Sequence, residues 1–273
     1  MGAERGDAHF EGLLLPGFPA EERQLNTVGA TGKDTLIEVL AFYENCITRF
    51  SKSPRWIQET KQLLDFGCAW SRVLRCFLFD FKPNHLYGID VDSDLIEISK
   101  RIFPGPTFVT CDAFPPTALD DESCDFIVGY SVFSHLSEQA CLAWMREFER
   151  LLSPGGMLAL TTRGRWFFDY CAGLSKEKTS GYSAALANLF EDFAVTRHRY
   201  DAGEIVHVNK EGVAGGGVLD SSFYGETFIP LPYARHKLAG NLKLIEYTSP
   251  NEVGKHPIMF FQKASNGLRH GKK

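Results

Sequence analysis

The sequence contains no uninterrupted stretch of about 20 apolar residues, the length that a membrane-spanning helix needs. Its lysines and arginines are scattered rather than gathered into a stripe, and the formal net charge is -5 with a pI of about 5.9. Nucleic acid prefers a positively charged surface and is not an expected partner. The first twelve residues do not follow the basic-then-apolar order of a secretory signal peptide. We therefore expect a cytoplasmic protein with no membrane and no nucleic-acid partner.

The cysteines and histidines are spaced in a way that disfavours cross-links and metal sites. The cysteines number seven, an odd count, and no two of them have the CxxC spacing of many zinc sites. The later histidines His198, His207, His236 and His256 do not show the i, i+4 spacing of paired metal ligands. We predict free, apolar-packed cysteines in a reducing compartment and no metal site.

Apart from these gaps, the composition is that of an ordinary folded protein. Apolar residues make up 44% and charged residues 23% of the 273 positions, which is enough to bury a full core. The pattern divides the chain into an N-terminal segment with a helix and a candidate lid (1–58), an α/β core (59–165), an irregular segment (166–239) and a C-terminal pair of strands with a tail (240–273). One main domain with additions is expected.

Short apolar runs alternate with amphipathic stretches, a rhythm typical of parallel βαβ units. The predicted strands are QLLDF (62–66), HLYGID (85–90), PTFVTCD (106–112), CDFIVGYS (124–131), MLALTTR (157–163), LKLIEYTS (242–249) and PIMFFQK (257–263). The last two begin too close together for a comfortable parallel crossover, so an antiparallel pair is favoured. The predicted fold class is α/β, with a Rossmann-like, mostly parallel seven-stranded sheet, an antiparallel C-terminal strand and helices on both faces.

The predicted helices fall between these strands, at 71–79, 93–102 and 138–152, and SPGG ends the last of them. Ser93 and Ser137 are the predicted N-caps of the second and third. A further helix precedes the core, with Thr31 or Asp34 available as its cap. Its apolar stripe, with spacings of three and four, is formed by Leu36, Val39, Leu40, Tyr43, Ile47 and Phe50.

The turn after the first core strand consists of small residues, and it suggests where a ligand lies. Gly67, Cys68, Ala69 and Ser71 let a ligand approach the backbone closely, and the helix expected after them presents unpaired N–H groups. Asp90 ends the next strand, a position from which a carboxylate can accept hydrogen bonds from both hydroxyls of a ribose. A third carboxylate follows the third strand. These features together predict a nucleoside site at the carboxyl ends of the strands.

Five segments in this order resemble the motifs of class I S-adenosylmethionine-dependent methyltransferases, over roughly residues 60–165. They are LLDFGCAWSR (63–72), LYGIDVDSDLI (86–96), FVTCDAF (108–114), CDFIVGYSVFSHL (124–136) and WMREFERLLSPGGMLALTTRG (144–164). Parts of these segments further resemble the sequences of a bacterial subgroup associated with glycan or secondary-metabolite gene clusters. The resemblance implies the class I methyltransferase fold and S-adenosyl-L-methionine as cofactor.

The resemblance also implies a role for individual residues on the methionine side of the cofactor. Asp65 would help to hold the methionine amino group through water, and Gly67, Cys68, Ala69 and Ser71 would line the methionine arm. Ala69 and Ser71 stand where the family usually has glycine. An alanine at positive φ is strained, so weaker cofactor binding is one expectation.

The remaining implied contacts concern the nucleoside and the reacting methyl group. Asp90 would accept hydrogen bonds from the ribose hydroxyls, and Val91 would pack on the adenine. Asp112 and Ala113 would meet the exocyclic amine of the adenine. Tyr130 and Ser131, at the end of the fourth strand, would lie beside the reactive methyl.

The acceptor side is less defined, because acceptor specificity in this fold usually comes from the least regular part of the chain, here 166–239. Four residues are candidate general bases for an alcohol acceptor: His135 in SVFSHLSE, His207 in GEIVHV, and Tyr224 and Glu226 in FYGETF. A purely structural role remains open for each of them. Arg163 is a candidate anchor for an anionic acceptor, with a solvated strand-end arginine as the alternative.

We predict an O-methyltransferase acting on a small-molecule or glycan hydroxyl by in-line displacement. A methyltransferase-like binding module without turnover is kept as an alternative because of Ala69 and Ser71. A nicotinamide-dependent oxidoreductase is less favoured because DFGCAWS does not contain the GxGxxG glycines. The acceptor and the oligomeric state stay open, with a homodimer among the options.

Overall fold

The computed structural model describes residues 9–10, 12–174, 181–210, 212–213, 215, 217–248 and 256–265. The polar start of the N-terminal segment (1–8), part of the Gly-rich loop and the C-terminal tail (266–273) therefore lie outside the described residues. No helix within the described ranges is long and apolar enough to cross a membrane.

A seven-stranded sheet forms the centre of the molecule, and two small hairpins accompany it. The strands are β1 (His9–Phe10), β2 (Leu13–Leu14), β3 (Leu63–Phe66), β4 (Leu86–Asp90), β5 (Thr107–Thr110), β6 (Cys124–Gly129), β7 (Leu152–Thr161), β8 (Val206–Val208), β9 (Glu226–Phe228), β10 (Lys243–Tyr247) and β11 (Ile258–Gln262). The sheet order is β10-β11-β7-β6-β3-β4-β5. All neighbours pair in parallel except β11, which is antiparallel to both β7 and β10. The predicted fold class is confirmed.

Helices cover both faces of this sheet. The α-helices of the described residues are α1 (Glu21–Val28), α2 (Asp34–Phe50), α3 (Ser93–Ile102), α4 (Glu138–Leu151), α5 (Arg165–Leu174), α6 (Gly181–Ala187), α7 (Phe193–Asp201) and the single turn α8 (Leu231–Tyr233). Of these, α5, α6 and α7 pack in a separate core cluster away from the sheet. Successive residues of β3 show why both faces are apolar. Leu63 belongs to the core layer that contains α2 residues, and Leu64 to the layer that contains α4 residues.

The helix predicted at 71–79 is wrong in type, since the segment forms a 3₁₀ helix at Leu74–Phe79. Ala69 has φ 47° and Ser71 has φ 63°, both in the left-handed region. An α-helix cannot continue through such residues, so the turn runs on to Val73 before helical bonding begins. Consequently the turn is not followed by an α-helix N-terminus with N–H groups available for a ligand.

The predicted helix ends are partly corrected. Ser137 is the N-cap of α4, as predicted, but Asp92 rather than Ser93 caps α3, accepting from Asp94 N at 2.9 Å and Leu95 N at 3.2 Å. A carboxylate one residue earlier competes successfully because its oxygen reaches two helix N–H groups. In α2, neither Thr31 nor Asp34 serves as the N-cap.

Two further corrections concern α2 and β7. The buried face of α2 is formed by Thr35, Val39, Phe42, Cys46 and Phe50, whereas the predicted stripe residue Leu40 is 47% exposed. Because α2 carries apolar residues on more than one side, the sequence pattern did not show which side faces the core. SPGG lies inside β7, which begins at Leu152 immediately after α4. Parallel pairing of Cys124 with Leu152 draws this segment into the sheet.

The irregular segment has an ordered aromatic core of its own in its described part. Phe168, Phe190 and Phe228 are in ring contact, and β8 and β9 form an antiparallel pair. The backbone also joins this segment to the loop after β6, because Gly225 N donates to His135 O at 2.8 Å and Thr227 N donates to Ser134 O at 2.8 Å. We call residues 163–229 the insertion. Its strand β9 therefore lies against the rim of the sheet.

Candidate cofactor and acceptor site

Three carboxylates lie at the carboxyl ends of adjacent parallel strands. Asp65 is in β3, Asp90 is the last residue of β4, and Asp112 follows β5. The charge of Asp90 contributes to a raised pKa at Asp65, and the charges of Asp90 and Asp112 both contribute to a raised pKa of the Cys111 thiol. The strand order thus brings the three predicted carboxylates to one rim, which we call the carboxylate rim.

Asp65 is buried, and its Oδ2 has no hydrogen-bond partner among the described residues. Burial is the main cause of its raised pKa, and the neighbouring charge of Asp90 adds to the shift. Ser71 Oγ, on the adjoining turn, is likewise buried and unpartnered within the described part of the chain. A buried polar atom in this state costs free energy until a donor reaches it. An ammonium group, directly or through water, has the chemistry to satisfy Asp65.

Asp90 is held by the backbone on both of its oxygens. Oδ2 accepts from Ala69 N at 2.8 Å and Oδ1 accepts from Asp92 N at 3.0 Å. Burial raises its pKa, while these backbone hydrogen bonds oppose the rise. Each oxygen keeps acceptor capacity after one hydrogen bond. The pinned carboxylate can therefore accept from two neighbouring hydroxyls, as the ribose prediction requires. The left-handed turn at Ala69 also directs its N–H to Asp90.

Gly67 and Cys68 are positioned mainly by the protein itself. A Cβ on Gly67, which has φ 70°, would overlap the Val132 side chain. Cys68 is buried, and its sulfur occupies the space beside Gly88, where a Cβ would lie 2.8 Å from it. The free space at Gly67 is thus used by Val132. This packing holds the loop after β6 against the turn after β3.

The residues predicted near the adenine lie along the outer part of the rim. Val91 is half-buried, and Asp112 is exposed beside the end of β5. The carbonyl of Ala113 accepts a hydrogen bond from Trp144 Nε1 at 2.9 Å. This bond fixes the backbone next to Asp112, and the contacts of these three residues with adenine stay a prediction.

Tyr130 and Ser131 are placed at the end of β6. The Tyr130 hydroxyl donates to Glu38 Oε2 at 3.2 Å, which brings α2 over this part of the rim. Ser131 has φ 61°, and its N–H donates to Thr161 Oγ1 at 2.6 Å. The backbone therefore turns sharply at the point where the resemblance expects the reactive methyl.

The N-terminal segment is tied to the turn after β3 by two arginines that were not singled out from the sequence. Arg72 donates to the carbonyl of Thr35 at 2.9 Å, and Arg75 donates to the carbonyl of Gly17 at 2.9 Å. Arg75 is buried, and its guanidinium lies over the rings of both Phe18 and Trp70. Burial lowers its pKa to about 10, so it remains charged at neutral pH.

Three of the four candidate bases, His135, Tyr224 and Glu226, meet where the insertion contacts the loop after β6. The His135 ring is stacked on Tyr224, with centroids 4.9 Å apart and planes inclined by 6°. His135 Nδ1 lies 2.8 Å from the carbonyl oxygen of Gly225 and 3.4 Å from Glu226 Oε1. The structure therefore brings together residues that are about 90 positions apart in the sequence.

Glu226 is completely buried within a polar network. Its Oε2 accepts from Arg163 Nε at 2.9 Å, and its Oε1 accepts a short hydrogen bond from the Tyr182 hydroxyl. Arg163 also lies over the Phe167 ring and close to His256 Nε2. Arg163 is thus buried and paired inside the protein rather than solvated at a strand end. Sequence reasoning did not identify Tyr182, because an aromatic residue in an irregular segment carries no specific signal.

His207, the fourth candidate, is oriented by a hydroxyl. Thr227 Oγ1 donates to the carbonyl of Leu136 at 2.6 Å and therefore accepts from His207 Nδ1 at 2.8 Å. Burial lowers the pKa of His207, and the nearby charge of Glu226 opposes this effect. Within the described residues no group of three or more His, Cys, Asp or Glu side chains is arranged to hold a metal ion.

Residues 64–158 match the family model described as "Methyltransferase domain". Among curated proteins, the chain is 28% identical over 109 residues to a trans-aconitate 2-methyltransferase of Rhizobium etli, covering 38% of this chain and 39% of that protein. It is 31% identical over 68 residues to the methyltransferase adrK of Penicillium roqueforti, covering 24% of each. The matched regions therefore span well under half the length of these two relatives.

Solved structures show the same fold at low sequence identity. The SAM-bound amino pentose methyltransferase CalS10 of Micromonospora echinaspora is 14% identical, with a TM-score of 0.53 over 94% of this chain and all of that one. A protein from Pyrococcus horikoshii is also 14% identical, with a TM-score of 0.53 over 82% of this chain and 89% of that one. The predicted resemblance to class I methyltransferases is confirmed, and the match to the methyltransferase domain model spans residues 64–158. The bacterial subgroup stays a prediction.

Proposed function

We propose that this protein is an S-adenosylmethionine-dependent methyltransferase that methylates a hydroxyl of a small molecule or glycan. The carboxylate rim carries the proposal: Asp65, Asp90 and Asp112 lie at the carboxyl ends of three adjacent strands, within the residues that match the methyltransferase domain model. The cofactor would supply a methyl group activated by a sulfonium. Its ammonium and sulfonium charges favour carboxylates over the phosphate cradle of other nucleotide sites.

The rim residues have the chemistry to hold the cofactor in successive parts. The unpartnered Oδ2 of Asp65 suits the ammonium group, and the two pinned oxygens of Asp90 suit the ribose hydroxyls. Asp112 and Ala113 would meet the adenine amine, with Val91 against the ring. Gly67 with its neighbours Cys68, Ala69 and Ser71 would lie along the methionine arm, and Tyr130 and Ser131 beside the methyl.

Catalysis by such a site rests on positioning of the two reactants. Holding donor and acceptor at near-attack distance is worth up to about 7–11 kcal/mol in well-oriented systems. The insertion contributes a wall for the acceptor through β9, which is bonded to the loop after β6. Arg163, the candidate anchor for an anionic acceptor, is already neutralised by Glu226 there. This supports a neutral hydroxyl compound over a carboxylate.

Isothermal titration calorimetry with S-adenosylhomocysteine tests the cofactor assignment. Asp90→Asn should weaken binding by about 10-fold or more, because hydrogen bonds to a charged acceptor contribute about 1.5–3 kcal/mol each. Asp120→Asn, an exposed loop carboxylate remote from the rim, is the matched control and should bind as the wild type does. Equal affinities in the two variants would refute the ribose assignment.

A methyltransferase-like binding module is the second candidate, because Ala69 and Ser71 both occupy left-handed backbone. Incubation with labelled S-adenosylmethionine and a panel of sugars, phenols and polyketide-like alcohols separates the two readings. Methyl transfer to any of them would exclude the binding module. Binding of NAD in place of S-adenosylhomocysteine would instead favour an oxidoreductase.

A further inference from the structure

His135 and His207 are both hydrogen-bonded through Nδ1, and His135 differs from His207 in lying 3.4 Å from a carboxylate oxygen of Glu226. His135 Nδ1 lies 2.8 Å from the Gly225 carbonyl oxygen, which can only accept, so Nδ1 carries the proton. In the neutral ring Nε2 then bears the lone pair. The side chain is 11% exposed, and Nε2 is not among the buried unpartnered atoms of the described residues. The imidazole therefore keeps a small exposed fraction.

The insertion is shaped to deliver that carbonyl to His135. Gly225 lies so close to β8 that a Cβ would overlap the Val208 carbonyl oxygen, and its own N–H donates to the His135 carbonyl. Tyr224 stacks on one face of the imidazole. These contacts fix the ring plane, the tautomer and the direction of Nε2.

A buried carboxylate lies next to Nδ1 of the His135 ring. Glu226 Oε1 is 3.4 Å from Nδ1, and Glu226 is itself held by Arg163 Nε and by the Tyr182 hydroxyl. An imidazolium formed at His135 would thus be adjacent to a negative charge that is already in place. Preorganised charge of this kind stabilises a developing cation without reorganisation.

His135 also belongs to the loop that begins at the predicted methyl position. It follows Tyr130 and Ser131 within one loop, and this loop is held against the turn after β3 by the contact of Val132 with Gly67. Tyr224 is near enough to the rim for the charge of Asp90 to contribute to the rise in its pKa. The His135 ring is therefore stacked on a residue of the insertion that senses the charge of the carboxylate rim.

From this geometry we infer that His135 Nε2 is the general base for the acceptor hydroxyl, and that Glu226 is the residue that positions and electrostatically supports it. The inference rests on the proposed function. In the step, the acceptor oxygen forms a bond to the methyl carbon as the carbon–sulfur bond breaks, and that electron pair stays on sulfur. The hydroxyl proton moves to Nε2, and the imidazolium then returns it to solvent. His207 and Tyr224 orient the wall and do not take the proton.

The charge environment of His135 agrees with this role. Burial lowers the pKa of His135, the Glu226 carboxylate raises it, and Arg163 lowers it again. The groups facing the ring are Glu226 and Tyr224 at β9, Arg163 after β7 and His207 on β8. The ring is neutral at pH 7 and ready to accept a proton.

The test compares two cofactor analogues by nitrogen-15 NMR of the histidines and needs no acceptor. Sinefungin carries an ammonium where the cofactor carries its methyl sulfonium, and S-adenosylhomocysteine carries nothing there. If Nε2 faces the methyl, sinefungin should shift the His135 Nε2 signal and lower the pKa of His135 relative to S-adenosylhomocysteine. His198 on α7 is the internal control and should not respond. Identical His135 signals in both complexes would overturn the inference, whereas failure of both analogues to bind would overturn the proposed function.

Two variants test the part of Glu226. Glu226→Gln should lower the pKa of His135, because the carboxylate that supports the imidazolium is lost. Tyr182→Phe keeps the buried ion pair and releases Glu226 Oε1, so it should raise the pKa of His135. An unchanged His135 titration in Tyr182→Phe would show that Glu226 does not support the base. For an acceptor that the wild type methylates, His135→Asn should reduce kcat by about 10²–10⁴-fold with unchanged S-adenosylhomocysteine affinity; retained turnover would contradict the assignment.

Discussion

The carboxylate rim and the insertion network both place charged groups inside the protein, but they satisfy those groups in different ways. At the rim, Asp65 keeps an oxygen without a partner among the described residues, and Asp90 is bonded to backbone N–H groups. In the insertion, Glu226 bonds to Arg163 and Tyr182, so its charge is balanced by side chains. The difference teaches that the rim leaves a buried acceptor for a ligand to satisfy, whereas the protein itself satisfies the buried carboxylate of the insertion.

The largest loss of stability is expected when the buried ion pair of the insertion is broken. Glu226→Ala leaves the Arg163 guanidinium buried without its carboxylate, and it should reduce the free energy of unfolding by about 3–5 kcal/mol in urea denaturation. Glu97→Ala removes one partner of the exposed pair with Lys100 and is the control, with a change within about 0.5 kcal/mol. Similar losses in the two variants would mean that the network does not stabilise the insertion.

A smaller loss of stability is expected at the contact between Gly67, in the turn after β3, and Val132, in the loop after β6. Gly67→Ala adds a Cβ that overlaps Val132 at a left-handed position, and it should cost about 2–3 kcal/mol by thermal or chemical unfolding. Gly29→Ala is matched in φ but has open space around it, so it should cost only about 1 kcal/mol. Adding Val132→Ala to Gly67→Ala should recover part of the excess; no recovery would place the strain elsewhere.

The smallest effect concerns the pH dependence of the unsatisfied rim. Because the folded-state pKa of Asp65 is raised, the protonated form is favoured in the native state, and this contribution is present at low pH and lost as pH rises through the folded pKa. The stability of Asp65→Asn relative to the wild type should therefore increase from pH 4 to pH 8, by about 1.4 kcal/mol for each unit of pKa difference.

The control for this pH series is Asp120→Asn, which removes an exposed carboxylate remote from the rim. Excess S-adenosylhomocysteine should reduce the advantage of Asp65→Asn, since the wild type then gains a partner for its carboxylate. A pH-independent difference in the free protein would contradict the buried, charge-repelled state of Asp65.

Sequence patterns predicted the sheet well because each strand is a short apolar run bounded by turn residues. They failed after β3, where Ala69 and Ser71 adopt φ values that such residues usually avoid. A pattern of residue types cannot show that Asp90 accepts the Ala69 N–H and thereby holds this turn. The same limit explains the cap of α3, where Asp92 and Ser93 are both suitable residue types.

Some residues of the candidate site could be placed together from the sequence, and others could not. Asp65, Asp90 and Asp112 could be placed together from the sequence, because parallel strands deliver their carboxyl ends to one edge. The meeting of His135 with Glu226 depends on β9 returning to the loop after β6, a pairing between distant segments. No local periodicity encodes that return, so the partners of the candidate bases emerged only in the folded chain.

The backbone bonds that join β9 to the loop after β6 limit how the molecule can be recombined. Ser137 N donates to Phe223 O at 2.7 Å, in addition to the bonds from Gly225 and Thr227. A chimera that exchanges the insertion alone would separate the imidazole from the carbonyl that sets its tautomer. Engineers seeking a new acceptor range should therefore transplant 131–137 and 163–229 as one unit, leaving untouched the strand ends that we propose to hold the cofactor.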